Sequence, residues 1–164
     1  MKVIIMSGIS GSGKSSFATN LANSWPAFLS NEELKPVILS ADNYHMVNGE
    51  YKFDPKNISM AHKTCLADFL KFTMYPHVNP SLGLVIVDNT NTTPDEIAPY
   101  YRVAEAVNHD VSIVRILMDP FQAFKRNRHG VPLATVLQQH KRIVDSVIPY
   151  GWKIEHHEAW EGDA

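Results

Sequence analysis

The sequence has 164 residues, 45% of them apolar and 20% charged, with a formal net charge of −2 and one cysteine, Cys65. A chain of this length and composition suits one globular domain with a single core, so one domain over residues 1–164 is expected. The balance excludes a globally basic nucleic-acid binder, leaving any polyanion to a local patch, and the lone cysteine excludes an internal disulfide and points to a reducing compartment. No apolar window approaches the length of a membrane span, so no membrane association is expected. The opening run Met1–Met6 is cut off by Gly8 and is too short for a signal peptide. The expected location is the cytoplasm, and no feature points to a protein partner.

In chain order, Val3-Ile4-Ile5-Met6 is a short apolar run of the kind that forms a buried parallel strand. Gly8-Ile9-Ser10-Gly11-Ser12-Gly13-Lys14-Ser15 follows and fits the phosphate-loop pattern G-x-x-x-x-G-K-[ST] without a mismatch. Ser16 to Ser24 reads as a helix with Phe17, Ala18, Leu21 and Ala22 on one face. Strand, Gly-rich loop and helix together are the context that phosphate binding needs. The glycines let backbone N–H groups turn inward around phosphate oxygens, and the helix N-terminus adds partial positive charge. Gly8, Ser10, Gly11, Ser12, Gly13, Lys14, Ser15 and Ser16 are therefore assigned to ATP, with Lys14 reaching the β- and γ-phosphates and Ser15 giving its hydroxyl to Mg²⁺.

Pro26 and Ser30-Asn31-Glu32-Glu33 mark a loop, and Val37–Ser40 is a second buried strand ending at Ala41-Asp42-Asn43-Tyr44. Asn48-Gly49 supplies a turn inside His45–Asn57, a stretch without clear period that reads as an exposed loop. From Ile58, apolar residues recur at helical spacing through Ala61, Cys65, Leu66, Phe69, Leu70 and Thr73, until Pro76 and Pro80 end the pattern. Leu84–Val87 is strand-like and runs directly into Asp88. Thr93-Pro94-Asp95-Glu96 combines a capping threonine, a first-turn proline and a capping-box glutamate; the helix should run to about Val107 with Ile97, Tyr101, Ala104 and Val107 inward. Val111–Leu117 is the next strand, Phe121–Arg128 a short basic helix stopping at Gly130, and Pro132 opens a final helix through about Val147. Trp152–Glu155 completes the pattern as an edge strand.

Strands alternating with crossover helices give an α/β fold of the P-loop NTPase/kinase type: a mainly parallel sheet with helices on both faces and a small basic lid. Ligands in such sheets bind beyond the C-terminal strand edges. Gly8, Asp42, Asp88 and the segment Asp119–Gly130 all follow strand ends and should converge on one crevice. Asp88 can orient Mg²⁺ or its water there, or simply cap the turn Asn89-Thr90-Asn91. Asp42 can accept the proton of an acceptor hydroxyl as general base, or serve as a turn residue bonded to its own backbone. Lys125-Arg126-Asn127-Arg128-His129 gathers cations that can neutralise transferring phosphate, with Arg126 and Arg128 as the ATP-contacting candidates. His62 and Cys65 sit three apart on a helix, but no second ligand pair accompanies them, so they read as core packing rather than a zinc site. His156-His157 reads as a solvated tail. Tyr44, Tyr51 and Phe53, interleaved with Lys52 and Lys56, can either stack a base or anchor their loop.

Taken together, Gly8–Ser16, Ser40-Ala41-Asp42-Asn43-Tyr44, Gly49–Asp54 with Ala61-His62, Asp88-Asn89-Thr90-Asn91 and Lys125-Arg126-Asn127-Arg128-His129-Gly130-Val131-Pro132 resemble the 5′-hydroxyl polynucleotide kinases and related small ATP-binding kinase-like proteins. The resemblance runs from about residue 1 to residue 145. It implies Mg²⁺-dependent transfer of the ATP γ-phosphate to a 5′-hydroxyl end of DNA or RNA, in the manner of nucleic-acid end repair. It further implies catalytic roles for Lys14, for Asp42 as base and for Arg126 in the lid, with Asp88 at the floor of the acceptor site. His45 stands where the family carries an arginine that holds substrate phosphate, and a neutral histidine is a weaker, pH-dependent ligand. The D-x-D-G-T segment of a fused phosphatase is missing. Two other functions fit the same residues: a kinase of a nucleoside or other small alcohol, and a binding module that uses ATP as a switch.

Overall fold

The computed structural model describes residues 1–25, 36–52, 54–74 and 83–159. Its elements run in the order β1 (Lys2–Ser7), α1 (Lys14–Ser24), β2 (Val37–Leu39), a hairpin of β3 (Met46–Val47) and β4 (Glu50–Tyr51), α2 (Ile58–Met74), β5 (Leu84–Val87), α3 (Pro94–Ala106), β6 (Asp110–Leu117), α4 (Pro120–Arg126), α5 (Leu133–Asp145) and β7 (Ile154–Glu158). Five strands form one parallel sheet in the order β2-β5-β1-β6-β7. The sheet places β1 and β5, whose residues are almost all buried, side by side inside it, as their apolar runs demand.

Alternation along the strands divides the core. Val3, Ile5, Val85, Val87 and Ile113 face α2 and α3, where they meet Cys65, Phe69, Ile97 and Tyr101. Ile4, Met6, Ile86, Val114 and Ile116 face α1, meeting Ala18 and the half-buried Phe17 and Leu21. A smaller cluster of Ile9, Ala123 and Val136 fastens the loop after β1 to α4 and α5. The sheet thus has helices on both faces, and its C-terminal rim collects the loops that carry polar residues.

Several local expectations are corrected. The stretch after Asp42 is structured: a 3-10 turn over Ala41–His45, then the β3–β4 hairpin, then a 3-10 turn over Pro55–Asn57. Strands of two residues leave no alternation to detect, though Asn48 and Gly49, at φ of 52° and 83°, make the left-handed turn their dipeptide favours. Ile58 is exposed at the start of α2, and Tyr100, absent from the expected inward set, is buried edge-on against Phe69. The α4 helix stops at Arg126 rather than Arg128, because Asn127 takes extended backbone. α5 stops at Asp145, where Ser146 is extended. Trp152 stacks on Tyr101 instead of starting the edge strand, and His156-His157 lies within β7, with His157 against Phe17. His62 is exposed rather than packed in the core, whereas Cys65 is buried. Pro26, Ser30–Glu33, Phe53, Pro76, Pro80 and the Tyr51 side chain lie outside the described residues.

Candidate active site

The phosphate loop is built mostly from main chain. β1 ends at Ser7, and the next amide, Gly8 N, donates to Thr90 O at 2.9 Å. Gly11 has φ of 82°, and a Cβ there would collide with the carbonyl of Ala123 in α4, so the loop and the lid helix touch through bare backbone. Gly13 takes left-handed backbone at the start of α1, which has neither a side-chain cap nor an acidic first turn. Its first amides are therefore left for an anion, the arrangement that phosphate uses. Gln139 of α5 holds the loop from outside, accepting from Ser10 N at 2.8 Å. Ser12 is fully buried, and its hydroxyl has no hydrogen-bond partner among the described residues.

Lys14 is 8% exposed and donates from Nζ to Ile9 O at 2.8 Å. Burial lowers its pKa to about 8, and the nearby carboxylates of Asp88 and Asp42 pull the other way. Asp88 closes β5 and is also 8% exposed, its own amide donating to Leu39 O at 2.7 Å. Burial raises its carboxyl pKa, opposed by a hydrogen bond from Ser15 and by the charge of Lys14. One Asp88 oxygen, Oδ1, is buried without a partner. A partnerless carboxylate oxygen beside the Ser15 hydroxyl is the hard oxygen donor set that Mg²⁺ takes, so these residues fit the ion. Among the described residues no group of three or more His, Cys, Asp and Glu gathers as a metal cluster.

Opposite the loop stands Asp42, in the turn after β2, with its side chain 57% exposed. A single cleft of about 920 Å³ joins the two sides. Ser10, Gly11 and Gly13 to Ser16 form one wall, Asp42 and Asp88 to Thr90 the other, and Gln122 with Lys125 to His129 the roof. Arg126 is half-buried in that roof and Arg128 exposed. Asn127 shapes it, donating from Nδ2 to Val131 O at 2.8 Å and accepting from His129 N at 3.0 Å. His129 Nε2 comes within 4.0 Å of Asp42 Oδ2, so the roof reaches across to the far wall. Gly8 and Ser12 shape the loop without lining the cleft. His45 is not brought to the cleft: it is 5% exposed and faces the interior.

The sequence assigns no role to Gln122 or Gln139, and names Asn89 and Thr90 only as part of the turn and motif after Asp88. Asn89 and Thr90 adjoin Asp88 and carried a signal in that position, but the glutamines lie on helices with nothing local to mark them.

The AAA domain family matches residues 3–142. The chain belongs to that family. It is 31% identical over 151 residues to NEDD4-binding protein 2 of Homo sapiens, a match that takes in 87% of the chain but only 8% of that relative's length. Among solved structures it is similar to Chaetomium thermophilum Kti12 in complex with ADP-AlF3, with TM-score 0.64, 13% identity, and coverage of 98% of this chain and 90% of that one. A gluconokinase from Sinorhizobium meliloti 1021 is also similar, with TM-score 0.56, 16% identity, and coverage of 96% and 82%. The fold of this AAA domain is therefore that of the P-loop kinases. No helix among the described residues is long and apolar enough to cross a membrane.

Proposed function

We propose that this AAA domain is an ATP-dependent kinase that transfers the γ-phosphate to the 5′-hydroxyl end of DNA or RNA. The observation that carries the reading is the shared cleft: Lys14 in its phosphate loop, Asp42 on the facing wall and Arg126 overhead. A pure nucleotide switch has no need of a carboxylate opposite the phosphate loop.

In this reading the loop amides and Lys14 bind the β- and γ-phosphates, and Ser15 and Asp88 would hold Mg²⁺. The ion, when bound, neutralises phosphate charge as it develops. Asp42 accepts the hydroxyl proton of the acceptor as its oxygen bonds to the γ-phosphorus, and the bond to the β-γ bridging oxygen breaks, releasing ADP. Arg126, with Arg128 beside it, balances charge on the equatorial oxygens. Asp42 is exposed and its side of the cleft open, which suits an acceptor whose bulk stays outside. Asp88-Asn89-Thr90 and Arg126–His129, drawn from the segments particular to the resemblance, both line that cleft.

A second reading, a kinase of a small alcohol, is favoured by the net charge of −2 and by the likeness to a gluconokinase. The two separate in one assay with γ-labelled ATP, Mg²⁺ and a panel of 5′-hydroxyl oligonucleotides, nucleosides and small alcohols. Label on oligonucleotide ends supports the polynucleotide reading, and label confined to small acceptors overturns it.

A further inference from the structure

The backbone ladder between β2 and β5 pairs Leu39 with Val87 and finishes with the bond from Asp88 N to Leu39 O. Beyond it the chains part, one into the turn carrying Asp42 and the other toward the phosphate loop. Asn89 bridges the gap. It is 6% exposed, and its Oδ1 accepts from the amide of Ala41, the residue before Asp42, at 2.8 Å. Its Nδ2 points to Tyr100 Oη and Cys65 Sγ at 3.5 and 3.6 Å, contacts long enough to be weak.

The same segment grips the other side. Thr90 O accepts from Gly8 N, and Asn91, 3% exposed, donates from Nδ2 to Met6 O at 2.8 Å while its carbonyl accepts from Ser7 Oγ at 2.9 Å. Within the Asp42 turn, Asp42 N donates to Ser40 Oγ and Asn43 N to Ser40 O, Tyr44 bonds to Asp68 of α2, His45 O accepts from Lys52 N at 2.8 Å, and Asp42 meets His129 of the roof. A bonded path from that turn across to the phosphate loop runs through Asn89 and the residues that follow it.

We infer that Asn89 is a positioning residue: it fixes the Asp42 turn to a brace, residues 88–91, whose other end holds the entry to the phosphate loop, and so sets base against donor. The inference rests on the kinase reading for its catalytic consequence, but the brace itself is a property of the fold. A buried Asn that only supported the fold would lower stability without separating turnover from ATP binding. A brace separates them, because a displacement of about 1 Å at a reacting group costs on the order of 100-fold in rate while leaving the donor site intact.

The test takes the full chain and its Asn89→Ala variant through residue-resolved amide hydrogen exchange, ATP binding by calorimetry, and phosphate transfer from ATP to a 5′-hydroxyl oligonucleotide. Three results are expected. Exchange at Ala41 speeds up in the variant while the phosphate-loop amides keep their protection. ATP affinity stays within about threefold. Turnover at saturating ATP falls by roughly 10- to 100-fold. Unchanged exchange at Ala41, or loosened exchange with unchanged turnover, overturns the inference. If wild-type protein transfers phosphate to no acceptor, the kinase reading fails, and faster exchange confined to the Asp42 turn still upholds the brace. Should Asn89→Ala not fold, the wild-type protein decides alone: Ala41 should be among the slowest-exchanging amides of residues 36–52, and fast exchange there contradicts the bond.

Discussion

The two walls of the cleft are made differently. The phosphate-loop wall is assembled largely from backbone around a buried cation: Lys14 is 8% exposed, Ser12 behind it is fully buried, and Gly11 lets α4 rest directly on the loop. The Asp42 wall is open, its carboxylate 57% exposed and met by a lid histidine 46% exposed. A triphosphate is the same ligand every time, so its site can be rigid and desolvated, with electrostatics strengthened accordingly. In the proposed kinase an acceptor must enter and leave, which suits a carboxylate left near water. Changes to the first wall should therefore cost binding and stability, and changes to the second should cost turnover.

The largest effect expected on the buried wall is from Lys14→Ala. Removing the only cationic side chain within the loop should weaken ATP binding and lower transfer by on the order of 100- to 1000-fold, read by calorimetry and by label transfer. Binding within a fewfold of wild type would show the loop does not depend on that charge. Gly11→Ala comes next. It forces a Cβ onto the Ala123 carbonyl in left-handed backbone, so stability should drop by about 1–3 kcal/mol in thermal or denaturant melts. Gly13→Ala meets no atom within 4 Å and should cost less, from backbone strain alone. Equal losses would mean that α4 is not seated on the loop.

Burial of Lys14 carries a pH signature that sharpens the contrast. Its folded pKa of about 8 lies below the ordinary 10.5, so between those values the unfolded chain holds the extra proton and stability contributed by this group rises with pH. Melts of wild type and Lys14→Met from pH 7 to 10.5 should show the wild type gaining relative to the variant above pH 8. ATP affinity should move the other way, falling as the ammonium is lost. A flat difference would mean that Lys14 is well solvated. The smallest effect belongs to the open wall's surface contact: His129→Ala removes a half-exposed pair at 4.0 Å, expected to contribute less than about 1 kcal/mol. Transfer should fall less than about fivefold, and a larger loss would mark the lid contact as part of closure.

The buried wall was the more legible one in the sequence, for a physical reason. A phosphate cradle needs glycines, lysine and a hydroxyl at fixed spacing between strand and helix, so Gly8 to Ser15 states its own geometry. Asp42 and Asp88 were legible only as carboxylates at strand ends, since the strand pattern fixes where they stand but not what they face. Asn89 and Gln139 act across the fold, on Ala41 and Ser10, and such long-range bonds leave no local period. The position of His45 in the motif does not fix its orientation, and a 3-10 turn sends its ring inward. The lid helix ends at Arg126, two residues short of the expected Arg128, because the side-chain bonds of Asn127 that shape the chain there have no composition signal.

The most direct measurement of the central claim compares Asp42→Asn with wild type for ATP binding and for phosphate transfer to a 5′-hydroxyl oligonucleotide. The substitution keeps size and the turn's backbone bonds while removing the proton acceptor. Retained ATP affinity with transfer reduced by roughly 100- to 10,000-fold is the result expected of a base facing the phosphate loop. Transfer at the wild-type rate, with ATP bound as before, would contradict it.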